Sequence, residues 1–367
     1  MKSNSKTIPF LALLTLGAAT AFGAGPLTPP GAPAPTMKTL DEIEPRTPIS
    51  AGSFTINLPG SYYLTGNLTG VSGNNGITIN ANDVTIDLRG FTLVGVVGSL
   101  DGITVAGSRT NIAIRNGTLR GWGADGMDAN SSYNSQFIDL RASGNGANGI
   151  QAGFGAVVKG CSARGNGTDG IVTFSGSTVS DSTASENLHD GIVVNTGSTV
   201  RDCASFNNTS NGIVANSGST VIHCTAYSNT NGIAAYSGST VIGCSTRINA
   251  TNGIIVSVGC TVGDCTAVSN GTGINAASDC RIVNNTCQNN SFAGIYVTST
   301  DNRIDGNSVT DNITGIRANP ATGNLIIRNS ASGNVTPYDI VIGNAAAQIL
   351  APSDNFIATN PWANFTF

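Results

Sequence analysis

Charge is scarce in this chain. Of 367 residues only 10% are Asp, Glu, Lys or Arg, and the formal net charge is -4. Lysine occurs at Lys2, Lys6, Lys38 and Lys159 and nowhere else. With no basic run and no positive excess, the sequence lacks the electrostatic footprint of a nucleic-acid partner. Aromatic residues make up 6%, with two Trp and two His. That poverty argues against a core built on Leu and Phe, and for one built on small and β-branched residues. Helical periodicity is missing, and the 47 glycines and recurrent Asn disfavour helices. Long apolar runs are missing too. The longest, "IPFLALLTLGAATA" at residues 8–21, spans 14 residues, short of the ~20 a bilayer crossing needs.

That run follows Lys2 and Lys6 and ends in small residues, the pattern of an export signal over residues 1–23. Residues 24–37 include "AGPLTPPGAPAPT", whose prolines predict an extended spacer. An exported protein with no transmembrane segment after signal removal is the expectation, in the periplasm or at the cell surface.

What the chain has in abundance is repetition. Gly-Ile, once Gly-Met, recurs at Gly76, Gly102, Gly126, Gly149, Gly170, Gly191, Gly212, Gly232, Gly253, Gly273, Gly294 and Gly315. The first three steps are 26, 24 and 23 residues; the later ones are 20 or 21. An Asn column runs through Asn145, Asn166, Asn187, Asn208, Asn229, Asn249, Asn270, Asn290, Asn312 and Asn334. Eight residues before each stands an apolar residue: Phe137, Val158, Val179, Val200, Val221, Val241, Val262, Ile282, Ile304 and Ile326. A repeat of this length holds three short strands separated by tight turns. Each repeat then forms one turn of a coil, stacked on the next at ~4.8 Å. The columns recur because each side chain meets its counterpart one coil away. Asn suits this column because it tolerates left-handed corners and its amide can bond the next Asn along the stack.

"DNRIDGNSV" (301–309) followed by "TDNITGI" resembles the right-handed parallel β-helix repeat of the pectin-lyase-like superfamily. The resemblance runs from about Phe54 to Ile342. "GSYYLTGNLTG" near the start and "NPWANFTF" at the end are similar to a secreted bacterial β-helix group. The resemblance implies an all-β, single-stranded right-handed parallel β-helix of about twelve coils of 20–26 residues. The expected layout is an N-terminal segment and cap over 38–75, the β-helix over 76–343 and a C-terminal cap over 344–367. Phe54–Leu68 would close one end, and Trp362 and Phe365 the other. The superfamily hosts lyases, hydrolases, epimerases, adhesins and scaffolds, so fold alone fixes no activity.

Three groups of residues are candidates for chemistry. Asp169 and Asp190 precede Gly-Ile in adjacent coils, with Glu186 and His189 near. Stacked carboxylates repel unless protonated or bridged by a cation, and calcium is one such cation; apart from that, no cofactor is expected. Asp139, Asp181, Asp202, His223 and Asp264 share a column with Gly160, Gly243 and Gly306, which reads as a turn position. The third group lies in the longest coils, in "IRNGTLRGWGADGMD": Arg115, Arg120, Trp122, Asp125 and Asp128. An aromatic platform with guanidinium and carboxylate groups suits an acidic polysaccharide. The eight Cys read as buried fillers or as one or two disulfides, with Cys260 and Cys280 the first pair to test.

Motifs of the superfamily's enzymes are absent. No Gly-His-Gly occurs, His189 lying in "LHDG", and no Asp-Pro-His-Glu. Coils from Gly149 to Gly315 leave no room for long catalytic loops. The favoured expectation is therefore a binding or envelope-associated scaffold. A lyase or hydrolase of uronic-acid-rich glycans, or a purely structural or adhesive protein, are the alternatives.

Overall fold

The computed structural model describes residues 46–351 and 360–367. The expected signal and spacer lie outside them. Among the described residues there are 42 short strands and no helix. Fourteen strands form one parallel sheet and 28 form the other two faces of the coil. The count is thus about fourteen coils rather than twelve. Of the two extra strands in the fourteen-stranded sheet, Phe54–Ile56 precedes the first Gly-Ile pair and Thr336–Ile340 follows the last. Phe54–Ile56 pairs in register with Ile77–Ile79, and Thr47–Ile49 pairs with Tyr62–Leu64. At the far end Asn364–Thr366 pairs with Ser330–Ser332. Trp362 is 49% exposed, with the Arg328 guanidinium 5.2 Å from its ring.

One coil shows the rule for all. Asn211–Ala215, Thr220–Ile222 and Thr225–Tyr227 are its strands, on the first, second and third face. Its corners are Gly218, His223 and Ser228, each with φ between 51° and 67°. The next coil repeats this with Gly238, Gly243 and Ile248. Left-handed backbone at every corner is what lets a 20-residue turn close, and Gly, Asn and Asp are the residues that adopt it cheaply.

The expected core column is buried in full: Phe137, Val158, Val179, Val200, Val221, Val241, Val262, Ile282, Ile304 and Ile326 are all at 0% exposure. The Asn ladder forms as its amides demand. Asn145 Nδ2 donates to Asn166 Oδ1 at 2.9 Å, Asn166 to Asn187 at 2.9 Å, and Asn187 to Asn208 at 2.9 Å. Each Oδ1 also accepts the backbone N–H one coil before, as at Asn208 N to Asn229 Oδ1, 2.9 Å. The ladder thus satisfies the buried polar groups of the corner. The left-handed residue, however, stands one place before the Asn: Glu186, Asn207, Ser228, Ile248, Ser269, Asn289 and Asp311 carry the positive φ. The Asn column is selected for its amide, not for its backbone.

The Gly of Gly-Ile has a steric reason. A Cβ on Gly212 would stand 2.6 Å from the Gly232 carbonyl oxygen and 2.7 Å from Asn229 Nδ2. The eight Cys are free and buried, filling inward positions that Ser and Asn fill in other coils.

Candidate functional site

The five residues grouped from the long coils do not assemble into one site. Trp122 is 2% exposed. It stands four residues before Gly126, the phase of the Asn ladder, and its backbone N–H donates to Asn145 Oδ1 at 3.1 Å. Its ring fills the ladder's corner beneath Gly70, Gly76 and Gly102, with Nε1 donating to the Leu93 carbonyl at 3.3 Å. Trp122 is therefore a core residue and offers no face to a sugar. Its phase in the repeat is the signal that would have shown this.

Arg115 and Arg120 lie on Ile112–Arg120, whereas Asp128 lies on Met127–Tyr133 in the other sheet. Arg115 pairs with Asp87 at 3.4 Å. Burial opposes ionisation of Asp87. The Arg89 backbone N–H, Asn116 and the guanidiniums of Arg115 and Arg46 nonetheless hold its carboxyl below the usual range.

Asp125 belongs to a second ladder at the entry to the fourteen-stranded sheet. It runs through Asn75, Asp101, Asp125, Asn148, Asp169, Asp190 and Asn211, each Oδ1 accepting the backbone N–H of the next. The donors are Asp101 N (3.0 Å), Asp125 N (2.9 Å), Asn148 N (2.6 Å), Asp169 N (3.3 Å), Asp190 N (2.8 Å) and Asn211 N (2.7 Å). Burial pushes the Asp125 carboxyl up to about 6 against its Asn148 N–H bond, with Asp128 and Asp101 adding repulsion. Burial and Asp101 raise Asp128 as well.

Two members of this ladder carry the expected cation pair. Asp169, Asp190 and His189 have ligand atoms all within 4.8 Å of one another. His189 Nδ1 is 2.7 Å from Asp169 Oδ1 and 3.5 Å from Asp190 Oδ2. The Asp169 hydrogen bond, opposed by slight burial and helped by the charge of Asp190, raises the His189 pKa. Glu186 is not part of the group. It sits at the opposite corner with φ 57° and pairs with Arg164 at 2.9 Å. One imidazole and two carboxylates is a nitrogen-and-oxygen donor set, which suits divalent transition metals better than calcium, whose sites hold six to eight oxygens. The column of Asp139, Asp181, Asp202, His223 and Asp264 is a row of turns, with φ from 51° to 55°.

A feature unread in the sequence lies on the third face. Its outward column runs in register through Val94, Arg120, Ser143, Arg164, Ser185, Phe206, Tyr227 and Arg247. The Phe206 and Tyr227 rings stack at 4.8 Å and 3°, and the Arg247 guanidinium lies 4.8 Å from the Tyr227 ring. Val94, Arg120, Ser143, Arg164 and Glu186 line an open groove of about 490 Å³. Position two before each ladder Asn was the readable signal.

The comparisons with known proteins agree on architecture. A model described as right handed beta helix region matches residues 75–222. A second, described as periplasmic copper-binding protein (NosD), matches residues 162–360. The fold is thus a right-handed parallel β-helix. No curated protein matches the chain. Among solved structures, the chain is similar to the A-module of mannuronan C-5 epimerase AlgE6 from Azotobacter vinelandii, at 14% identity over 88% of each chain and a TM-score of 0.47. It is also similar to the catalytic domain of a GH87 alpha-1,3-glucanase, at 15% identity, covering 77% of this chain and 64% of that one, with a TM-score of 0.50. The pre-mature gene product 12 of bacteriophage phi29 matches at 11% identity, 78% and 49% coverage, and 0.55. At these identities the likeness is one of fold. Among the described residues no helix is long and apolar enough to cross a membrane.

Proposed function

We propose, from the premise that this chain belongs to the family described as periplasmic copper-binding protein (NosD), that it is an extracytoplasmic β-helix scaffold. It binds acidic glycan chains along its third face without cleaving them. The observation that supports this reading is the outward column from Arg120 to Arg247. Coils repeat at ~4.8 Å, so the column is a straight stripe along the stacking direction. The stacked Phe206 and Tyr227 rings present an apolar ridge against which a sugar ring can rest, and each guanidinium is a planar fork matched to a carboxylate. Arg164 already shares its charge with Glu186, while Arg120 is in no ion pair among the described residues. A polymer with recurrent carboxylates could engage Arg120 and Arg247 while resting on the rings between them.

The test is affinity of the purified protein for polygalacturonate and alginate, with dextran as the neutral polymer. Tyr227→Ala and Arg120→Ala should each weaken binding about tenfold, the effect of removing an interface anchor. Arg281→Ala, whose strand Arg281–Val283 belongs to the second face, should leave it unchanged. Binding should also fall with added salt. Equal affinity of all three variants, or equal binding of dextran, would refute the stripe.

A further inference from the structure

We infer that the fourteen-stranded face is a homodimer interface: two copies of this chain pack through it, antiparallel along the stack, so that Asp128 of each meets the partner's Arg317. The inference is independent of the glycan reading, which concerns another face.

The strands of this face supply the first argument. Ile192–Val194 reads IVV, Asn211–Ala215 reads NGIVA and Asn252–Val256 reads NGIIV. Ile192, Val194, Ile213 and Ala215 point inward and are at 0% exposure. The residues between them point outward. In five successive coils they are Val172, Val193, Val214, Ala234 and Ile255. On the second face the same coils carry Thr178, Thr199, Thr220, Thr240 and Thr261 in an outward column. Thr is as β-branched as Val and suits a strand as well, so backbone preference does not explain the difference. A parallel strand apolar on both sides is the pattern of a sheet covered on both faces.

Charge identifies the cover. Gln151 and Asn275 bound the apolar run, and Asp128 and Arg317 lie farther out in the same column. Asp128 is on the fourth of the fourteen strands and Arg317 on the thirteenth, while Val214 and Ala234 are on the eighth and ninth. A two-fold axis along the strand direction, passing between Val214 and Ala234, sets the fourth coil of one copy against the thirteenth of the other. Asp128 then faces the partner's Arg317 at both ends of the contact. A parallel pairing sets Asp128 against Asp128 and Arg317 against Arg317, and like charges across an interface are costly. Asp128 is in no ion pair among the described residues. Arg317 reaches Asp339 through Nε at 3.4 Å, and its fork holds further N–H donors.

Shape agrees with charge. Tyr133, Phe154 and Phe174 form an aromatic row near the Asp128 end, with ring centroids 5.1 and 5.0 Å apart. In later coils the same edge of the face narrows to Ser257, Ala277 and Thr298, which with Asn275 line an open groove of about 340 Å³. The same axis sets Phe174 against the partner's Ala277 and Phe154 against the partner's Thr298, bulk into hollow. Ten coils at ~4.8 Å, each with a strand about 16 Å long, present about 800 Å². That is the share each partner buries in an interface of standard size.

The experiment is sedimentation of the purified chain over a range of concentrations. The expected result is a dimer at micromolar concentration. Val193→Arg should weaken it at least a hundredfold, because it places an unpaired charge in the apolar centre. Thr199→Arg, outward in the same coil but on the second face, should leave it unchanged, and melting curves of both variants check that the fold is kept. Asp128→Lys and Arg317→Glu should each weaken the dimer at least tenfold, and the double variant should recover most of the loss. A monomer at every concentration, or a dimer indifferent to Val193→Arg, would overturn the interface. Single charge reversals without effect, or a double variant as weak as the singles, would overturn the antiparallel pairing.

Discussion

Asp125 shows how one side chain can serve the fold and strain it. Its Oδ1 continues the entry ladder, but burial raises its pKa to about 6. The folded state therefore holds a proton more tightly than the unfolded chain, whose carboxyl titrates near 3.8. Stability from this group is greatest below 3.8 and falls as pH rises through 6. Asn, which fills the ladder elsewhere, keeps the acceptor and drops the charge. Asp125→Asn should raise the melting temperature at pH 7.5, by roughly 1–3 kcal/mol in stability, and the gain should vanish near pH 4. Melting curves at the two pH values check this; an equal gain at both would contradict the burial argument. Ile248 is a second strained residue, β-branched yet at φ 54° and 55% exposed. Ile248→Asn should stabilise by about 1 kcal/mol, the cost of left-handed backbone in an ordinary residue. A lower melting temperature would mean that its apolar contacts outweigh the strain. Asn229→Ala works the other way. It removes the acceptor of the Asn208 backbone N–H at 2.9 Å and Nδ2 at 3.1 Å, both buried. Leaving a buried donor unpaired costs about 1–3 kcal/mol, so chemical denaturation should show a loss in that range.

At the scale of the strand, the alternation of inward and outward residues was legible because it repeats. Val221 and its counterparts are buried without exception, and Thr220 faces outward beside it. Val221→Asp should unfold several coils, whereas Thr220→Asp should shift melting by little, because an unpaired charge is far costlier inside. Equal melting of the two would refute the register. What the columns did not reveal is instructive. The left-handed residue was misplaced by one, because Asn suits both a left-handed turn and an amide ladder, and only the hydrogen bonds separate those uses. Trp122 looked like a platform because Trp is rare on this chain and charged residues surround it. Its place in the Asn column, which points inward, decides the matter. The stripe of Arg120, Phe206, Tyr227 and Arg247 was hidden because its members differ in type. Sameness betrays a core column; a binding column is made of unlike residues, and only register gathers them. His189 was named beside Asp169 and Asp190, but Glu186, as near in sequence, turned out to face Arg164 on another corner.

Across the molecule, the three faces carry different chemistry. The fourteen-stranded sheet bears the acidic ladder at its entry, and the third face bears the arginine and aromatic stripe. Coils after Gly149 are too short to add long loops, so among the described residues that part of the chain presents surface. Surface of this kind suits the holding of an extended polymer more than its chemical conversion. The most direct test incubates the purified protein with polygalacturonate and alginate, with and without calcium. Retained polymer is measured alongside new reducing and unsaturated ends. The account predicts retention with no new ends in either condition. New ends that disappear in Asp125→Asn or Asp128→Asn would contradict it, and would make the long coils the seat of an enzyme.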